Sequence, residues 1–462
     1  MSVPSPPRRR QAGPWLAYAV LPLVALFVPA AIVLPGPLES NGWPGRLLVF
    51  VTAAVVVLTW LRRPGRGRLV SPAEAGCWVL ALGVVIAFGA AYLRPLTSVE
   101  AAGTIRVALV LLPLLIVAIG IAALTGVGKI DLLLVCVVVG ASASAFVAIT
   151  QFVTPYDLAE LIRPPGFIAR EVGGMGDRGG FIRVKGSATH PIEFGVVSGA
   201  VAPIALHLAL HARSAQGRQW AAMATGMLVL GLLLAVTRSG VVTVIIAMAV
   251  YAVRLTVRQR LNLVVLAVTA LVLMRAAVPG LLGTLTGFFL GAGEDDSVTA
   301  RTDDYPLIAA LFAERPLLGR GLGTFLPEEY FLLDNQYLMS LVEGGVVLVA
   351  ALAVFIVLAL AGAHGAVRRA RDAREASRAQ AVTAAIASIL AAGFFFDLFS
   401  FAQVTVLLFV LVGAAGALWR HGVEHGVRIP TPRERVRRGA GTPLPPVPAA
   451  EPRGPEPAPV AG

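Results

Sequence analysis

The chain has 462 residues, of which 57% are hydrophobic and only 14% are charged, and its formal net charge is +12. A soluble domain carries roughly 25% charged residues, so this composition excludes an ordinary globular protein and indicates an integral membrane protein. The arginines stand in short segments between apolar stretches, and no basic face with interleaved aromatic residues occurs. Anionic lipid headgroups therefore explain the positive charge better than a nucleic-acid partner does.

Apolar stretches recur along the whole chain and predict an all-α polytopic membrane protein with about 12 transmembrane helices. Most stretches approach the roughly 20 residues that cross about 30 Å of hydrocarbon. The first is long, follows several arginines and lacks a small-residue cleavage site, so we do not interpret it as a signal peptide. The predicted spans are 15–34, 46–61, 76–92, 107–124, 131–151, 191–211, 220–237, 239–253, 261–277, 340–363, 380–397 and 401–419.

The distribution of charge predicts the orientation of these spans. Most lysines and arginines fall in the two termini and the even-numbered loops, and most acidic residues fall in the odd-numbered loops. The positive-inside rule puts the arginine-rich side in the cytoplasm, with both termini. The two long loops, 152–190 and 276–335, are then extracytoplasmic.

Composition also predicts three parts of the chain. Residues 1–13 form a cytoplasmic N-terminal tail, and residues 14–420 form a transmembrane catalytic domain. Residues 421–462 are rich in arginine and then proline, so we expect a disordered cytoplasmic tail. The two cysteines, Cys77 and Cys136, lie in predicted spans, and no metal-ligand spacing occurs, so neither a disulfide, a metal nor a cofactor is expected.

The first external motif runs from Arg183 to Gly195 with the sequence R-V-K-G-S-A-T-H-P-I-E-F-G. Arg183, Lys185 and His190 gather at the predicted mouth of a helix, where Pro191 suits the first turn. The exposed N–H groups of such a turn favour an anion. Alternatively, the cluster is an interfacial anchor whose side chains extend to the headgroups.

The second motif, Thr237-Arg-Ser-Gly240, is a predicted hairpin between two apolar spans. A charge at the edge of the bilayer is costly unless it meets an acid, a phosphate or water. The guanidinium of Arg238 suits bidentate contact with phosphate oxygens. The alternative is a side chain at the end of a helix that extends to the headgroups.

The third motif lies in the second long loop. Residues 301–313 predict an amphipathic helix with Arg301 in its first turn, the unfavourable end for a cation, which suggests an anionic partner. The residues expected to face inward are Leu307, Ala310, Leu311 and Phe312.

Arg320 follows in the sequence E-R-P-L-L-G-R-G-L-G-T-F and is a further candidate for substrate binding. The glycines at 319, 321 and 323 resemble a dinucleotide loop only superficially, because no strand precedes them.

The fourth motif, L-D-N-Q-Y-L at 333–338, stands where the chain re-enters the membrane. Asp334 is either a helix cap or a general base toward a hydroxyl, and Asn335 is a candidate substrate contact. Glu343 lies deeper, before a glycine pair. Asp397, among phenylalanines, is another partly buried acid on the same predicted face.

These motifs, in this order, resemble the O-antigen ligase and Wzy-type polymerase superfamily. The resemblance rests on T-R-S-G, S-V-T-A-R-T-D-D-Y, E-R-P-L-L-G-R-G-L-G-T-F and D-N-Q-Y-L-M-S-L-V-E-G-G. It implies a GT-C-type glycosyltransferase-like fold in the bacterial cytoplasmic membrane. It also implies metal-independent transfer of a glycan from an undecaprenyl-diphosphate carrier to an acceptor glycan or lipid at the outer face. Arg238 and Arg301, with Arg183 as a third candidate, would bind the diphosphate.

One position departs from the family pattern. Ligases of this superfamily carry histidine before the asparagine, as base or acceptor-positioning group, and here the pair is Asp334-Asn335. Asp334, with His190 as the alternate, is then the candidate base. The departure favours polymerisation, or transfer to another acceptor, over lipid A–core ligation.

Two other classes share parts of the pattern. A transporter or flippase would also have twelve spans, but its ionisable groups should lie near mid-membrane on broken helices, with internal repeats. A SEDS-like peptidoglycan glycosyltransferase shares the lipid-diphosphate chemistry at the outer face.

Overall fold

The computed structural model describes residues 15–36, 39–62, 69–154, 157, 161–170, 177–178, 180–280, 283, 305–327 and 329–425. This part of the chain is mostly helical. In chain order the helices are α1 (Trp15–Phe27), α2 (Pro44–Arg62), α3 (Pro72–Ala91), α4 (Ser98–Leu124), α5 (Val127–Val153), α6 (Pro191–His211), α7 (Ala215–Leu234), α8 (Arg238–Ala252), α9 (Val257–Ala277), α10 (Tyr305–Glu314), α11 (Gln336–Arg368), α12 (Ala373–Ala392) and α13 (Ala402–His425). A short 3₁₀ helix, Leu398–Ser400, precedes α13.

The apolar sequence explains the helical fold, because a chain in hydrocarbon must satisfy its backbone hydrogen bonds within the segment. Side-chain caps fix where several helices begin. Thr97 and Glu100 form a reciprocal capping box at the start of α4, and Ser71 accepts from the Glu74 N–H just before α3. Such caps satisfy N–H groups that the first turn leaves without partners.

Nine of the described helices are long and apolar enough to cross a membrane: α2, α3, α4, α5, α6, α7, α9, α11 and α13. The helices α1 and α8 are apolar but shorter. The helix α12 begins with three charged residues within its first six and is not among the nine. The protein is therefore a mostly helical, polytopic membrane protein, and the number of 12 spans and the GT-C relationship stay predictions.

Two predictions are wrong in part. The span predicted at 15–34 ends as a helix at Phe27, and Ile32–Val33 forms a strand, β1. The loop helix α10 buries Leu311, as predicted, but its other buried residue is Ile308, whereas Leu307 and Ala310 are exposed. Ile308 and Leu311, three residues apart, form a narrow stripe against a small apolar cluster, so only one side of the helix is covered.

The loops also contain short strands that an all-helical prediction does not include. The strand β1 pairs antiparallel with β2 (Ile168–Ala169), and β3 (Asp177–Arg178) pairs with β4 (Phe181–Ile182). The Arg170 N–H extends the first pairing by donating to the Ala31 carbonyl oxygen at 2.8 Å. The loop after α1 is thereby joined to the loop between α5 and α6.

The helices α6 and α13 form the interior of the bundle. They are the most enclosed of the nine candidate spans, because 83% and 89% of the residues in their apolar 18-residue segments are buried within the protein. The helix α13 packs mainly against α4 and α11, and α6 packs against α7, α8 and α12. Both are therefore surrounded by protein rather than by lipid.

The helix α11 is broken at Gly345, where φ is 59° and ψ is −160°. The turn that precedes α11 supplies hydrogen-bond partners for the backbone groups at this break. The Pro316 carbonyl oxygen accepts from the Val346 N–H (2.9 Å), and the Gly321 N–H donates to the Glu343 carbonyl oxygen (2.8 Å). We call residues 316–323 the glycine turn. Non-helical backbone at membrane depth is tolerated only where protein covers it, and the glycine turn supplies that cover.

Candidate functional site

The described parts of the predicted motifs lie at one end of the bundle, where α6, α8 and α11 begin and where residues 393–401 link α12 to α13. We call this the site end. It is the end that the charge pattern predicts to be extracytoplasmic.

The segment from Lys185 to His190 is held in a fixed position before α6. The Gln151 side-chain oxygen of α5 accepts from the Lys185 and Gly186 N–H groups at 3.1 and 2.9 Å. Ser187 is fully buried, and its hydroxyl donates to the Leu26 carbonyl oxygen of α1 at 2.7 Å. Sequence reasoning missed this support, which fixes the backbone from which Arg183, Lys185 and His190 project.

Glu193, in the first turn of α6, connects the same segment to α13. Its fully buried carboxylate accepts from the Thr189 N–H (3.0 Å), the Thr189 hydroxyl (2.8 Å) and the Gln403 N–H (2.6 Å). A buried carboxylate needs such donors, since an unpaired one is costly. Glu193 is thus a structural clamp behind the site.

His190 is the N-cap of α6, and its Nδ1 accepts from the Ile192 N–H at 3.1 Å. Burial and then the charge of Arg183 lower the pKa of His190, Asp334 raises it, and Lys185 lowers it further. The four side chains therefore lie within electrostatic reach of one another. The imidazole is neutral at pH 7, and because Nδ1 accepts, its proton is on Nε2.

Arg238 is the first residue of α8, and this N-terminus packs against the beginning of α6. A Cβ built on Gly195 would lie 2.6 Å from the Thr237 Oγ1, so no larger residue fits there. Val236, two residues before Arg238, is buried and has φ of 50°, a strained conformation for a β-branched residue. The N-termini of α6 and α8 thus stand side by side, both favouring an anion.

Asn335, and not Asp334, caps α11. The Asn335 side-chain oxygen accepts from the Tyr337 and Leu338 N–H groups at 2.9 and 3.1 Å, and its amide donates to the Phe394 carbonyl oxygen at 3.3 Å. The capping alternative for Asp334 is therefore wrong. Asp334 is half-buried and close enough to His190 and to Asp397 to affect their pKa values.

Arg320 is engaged within its own loop. Its guanidinium donates to the Tyr330 hydroxyl at 2.5 Å and contacts the Glu314 carboxylate at 3.5 Å. Its carbonyl oxygen accepts from the Arg94 side chain at 3.0 Å. The substrate-binding role stays a prediction for Arg320, whose contacts here support the glycine turn. Arg301 lies outside the described residues.

A cavity of about 310 Å³ opens between α2, α3, α4 and α11 at the site end. Its lining includes two acids, Glu343 and Asp397, and three arginines, Arg46, Arg106 and Arg170. The Glu343 carboxylate accepts from the Phe325 N–H at 3.3 Å. The Asp397 carboxylate accepts from the Ser400 hydroxyl, while burial raises the pKa of Asp397 to about 6.

Sequence reasoning missed both Arg46 and Arg106. It took Arg46 as the first residue of the second span, and it left Arg106 outside the fourth span by beginning that span at 107. A signal for Arg106 was available. The T-S-V-E sequence at 97–100 is a capping-box pattern, and it starts α4 nine residues earlier than the apolar run does. Arg106 then lies within a helix instead of in a loop.

A second, larger cavity is almost wholly apolar. It measures about 810 Å³ and lies between α5, α6 and α7. Phe146 and Val147 of α5 line it, in the same helix as the Ser144 and Gln151 side chains that hold residues 185–187. Val147 lies one helical turn from Gln151, and Leu208 and Gly217 extend the lining toward the opposite end of the bundle.

Residues 223–353 match the family model described as O-antigen ligase. The match includes the hairpin with Arg238, the glycine turn and the start of α11, and it confirms the predicted resemblance to the O-antigen ligase and Wzy-type superfamily. It indicates a glycan-transferring protein of the membrane. A search of curated proteins found no match to the chain.

Proposed function

We propose that the protein transfers or polymerises a glycan from an undecaprenyl-diphosphate carrier to an acceptor hydroxyl at the outer face of the cytoplasmic membrane, without a metal. The observation that carries this proposal is that Arg183, Lys185 and Asp334 all lie within electrostatic reach of His190 at the site end. His190 caps α6, and the first turns of α6 pack at Gly195 against the N-terminus of α8, which begins with Arg238.

The cationic side of this group suits a diphosphate. Arg183, Lys185 and Arg238 carry positive charge, and the N–H groups that begin α6 and α8 add to it. A charge-assisted hydrogen bond to phosphate strengthens as the leaving group gains charge, which lowers the barrier. Arg301 is a further candidate for this role.

Asp334 is the proposed base. The acceptor oxygen forms a bond to the anomeric carbon, the bond from that carbon to the phosphate oxygen breaks, and the diphosphate leaves with the electron pair. The acceptor hydroxyl proton passes to Asp334. His190 is the weaker candidate for this step because its Nδ1 already accepts from the Ile192 N–H, so its Nε2–H acts as a donor to the diphosphate instead.

The apolar cavity between α5, α6 and α7 suits the first part of the polyprenyl chain. Its lining is almost entirely hydrophobic and includes Phe146, Trp220 and Met227. A lipid chain that lies there follows α5, whose Gln151 side chain holds the segment that bears Lys185, and we propose that its diphosphate reaches the cationic group at that end of α5.

The break in α11 is a feature that transporters also have, but its surroundings do not favour transport. In transporters the broken backbone binds the substrate or ion. Here the backbone N–H and carbonyl groups at the break form hydrogen bonds with the glycine turn, with N···O distances of 2.8 to 3.2 Å.

The test is glycan transfer from a purified undecaprenyl-diphosphate oligosaccharide in detergent with EDTA, comparing wild type with Arg238→Ala and Arg301→Ala. We expect each variant to lose at least about a hundredfold in turnover, the usual effect of losing one donor that stabilises transition-state charge. Arg163→Ala is the matched control, because Arg163 is an exposed arginine of the other long external loop, 152–190, and has no proposed role in the site.

The experiment separates the possible outcomes. Unchanged turnover in folded Arg238→Ala and Arg301→Ala proteins would remove the proposed diphosphate site. Absence of turnover by wild type with any lipid-linked donor, together with substrate flux in proteoliposomes, would favour a transporter.

A further inference from the structure

The 310 Å³ cavity contains two neighbouring cations that the proposed transfer reaction does not use. Arg46 lies in the first turn of α2, and Arg106 lies in the third turn of α4. Both line the cavity. Like charges in an enclosed site repel each other, and a bound anion offsets that repulsion.

The two guanidiniums differ in how they are held. The Arg46 Nη1 donates to the Ser40 carbonyl oxygen at 2.8 Å and to the Asn41 side-chain oxygen at 3.1 Å. The Arg106 side chain makes no hydrogen bond or close ion pair with any other residue that the structure describes, although its charge acts on Glu343 and on Arg46. Arg170, on the rim, is near Glu39 at 3.8 Å. Arg106 is therefore the cation with most capacity for a ligand.

The same cavity presents acceptors. Glu343, Asp397, Ser340 and Gln336 line it together with the two arginines. Carboxylates accept hydrogen bonds from sugar hydroxyls. A cavity that holds both cations and hydroxyl-binding groups suits a sugar that bears an anionic group. Its volume is near the lower limit of small-molecule sites, which fits a short terminal portion of a glycan.

Asp397 also connects this cavity with the proposed reaction centre. Asp334 affects the pKa of Asp397 on one side and that of His190 on the other. Asp397 thus lines the cavity together with Arg46 and Arg106, and Asp334 connects it electrostatically with His190, on which Arg183 and Lys185 act. Such a layout provides one cationic site for a donor and a second one for an acceptor.

We propose that the cavity between α2, α3, α4 and α11 is the acceptor site, and that it selects an acceptor glycan whose terminal unit carries an oxyanion, a carboxylate or a phosphate, through Arg106 and Arg46. This inference rests on the proposed function, since it assigns the second substrate of that reaction. The acceptor hydroxyl is oriented by Glu343 and Asp397 toward Asp334.

The test is direct binding to the purified protein in nanodiscs, measured by calorimetry. The probes are an oligosaccharide that ends in glucuronic acid, the same oligosaccharide with that carboxyl reduced to the alcohol, and one that ends in a sugar phosphate. Each is titrated into wild type, Arg106→Gln and the control Arg163→Gln. Binding of undecaprenyl diphosphate is measured on the same samples.

We expect wild type to bind one or both acidic probes at least tenfold more tightly than the neutral one. Arg106→Gln should reduce that preference at least tenfold, while Arg163→Gln and the binding of undecaprenyl diphosphate stay unchanged. The two acidic probes distinguish a carboxylate from a phosphate as the preferred group.

Three results would overturn the inference. The first is equal binding of acidic and neutral probes by wild type, and the second is an acidic preference that survives in folded Arg106→Gln. The third is loss of undecaprenyl diphosphate binding in Arg106→Gln, which would make the cavity the donor site and leave glycan transfer itself intact. Failure of the proposed function appears separately, as full turnover in Arg238→Ala.

Discussion

Asp397 is a carboxyl group at the edge of the cavity, and its environment makes it sensitive to pH. Burial raises the pKa of Asp397 from its ordinary value of 3.8 to about 6, the Ser400 hydroxyl lowers it, and Asp334 raises it. Well below pH 3.8 the group is protonated in both the folded and the unfolded chain. Between pH 4 and 6 the unfolded chain releases the proton first, so the folded state loses stability as the pH rises.

Asp397→Asn removes this dependence, because an amide carries no charge at any of these pH values. We expect the variant to be as stable as wild type or more stable at pH 8, by up to about 3 kcal/mol. At pH 4 that advantage should disappear. The measurement is thermal unfolding in detergent at pH 4, 6 and 8, and a difference in Tm that stays constant across these values would contradict the prediction.

The individual site residues were only partly predictable from the sequence. Arg183, Lys185 and His190 could be found because charges at the start of an apolar helix are rare. The roles of Asp334 and Asn335 could not be separated, since both residue types cap helices and the choice depends on which backbone N–H groups each oxygen reaches. Glu193 was missed as a clamp because its partner, Gln403, is on a distant helix.

The glycine turn and the broken helix α11 form one unit. A Cβ at Gly345 would lie 2.5 Å from the carbonyl carbon and oxygen of Leu317. The φ and ψ of Gly345 also belong to a region that is nearly exclusive to glycine. The turn and the helix therefore approach each other only because position 345 lacks a side chain.

Gly345→Ala should consequently destabilise the protein by about 3 kcal/mol or more and displace the glycine turn from α11. The measurements are thermal unfolding and glycan transfer in detergent. Gly89→Ala is the matched control, because Gly89 is in α3 and a Cβ there meets nothing within 4 Å. That variant should be unchanged or up to about 1 kcal/mol more stable. Equal effects of the two substitutions would contradict the role of the turn.

Helices were easier to predict than their ends. Apolar stretches identified α2 to α9 and α11 to α13, because hydrophobicity over a span is a property of the local sequence. Ends depend on caps, which is why α4 begins at Ser98 and not at 107. The break in α11 and the strands β1 and β2 depend on contacts between segments far apart in the chain. The local sequence pattern does not indicate such contacts.

At the scale of the whole molecule, orientation in the membrane follows from charge. The excess of arginine in the even-numbered loops predicts that the site end is extracytoplasmic. Leu93 is exposed at the site end, between α3 and α4, and Arg258 is exposed at the opposite end, in the first turn of α9. The two positions form a matched pair for testing the prediction.

Single cysteines at these positions, Leu93→Cys and Arg258→Cys, are introduced after Cys77 and Cys136 are changed to alanine. A membrane-impermeant maleimide should label Leu93→Cys in intact spheroplasts. Arg258→Cys should react only after permeabilisation. Labelling of Arg258→Cys in intact spheroplasts would reverse the orientation and would move the proposed site to the cytoplasmic face.

The closure of the α11 break by the preceding turn has a consequence for biogenesis. The backbone groups around Gly345 acquire partners only when residues 316–321 have folded back. Those residues leave the ribosome before α11 does, and α3, whose Ala87 carbonyl oxygen accepts from the Leu322 N–H at 3.1 Å, leaves earlier still. The order of synthesis therefore matches the order of assembly. A chain that reaches the membrane with every helix inserted but this turn undocked would expose unpaired backbone to hydrocarbon, a defect that membrane quality-control proteases could recognise.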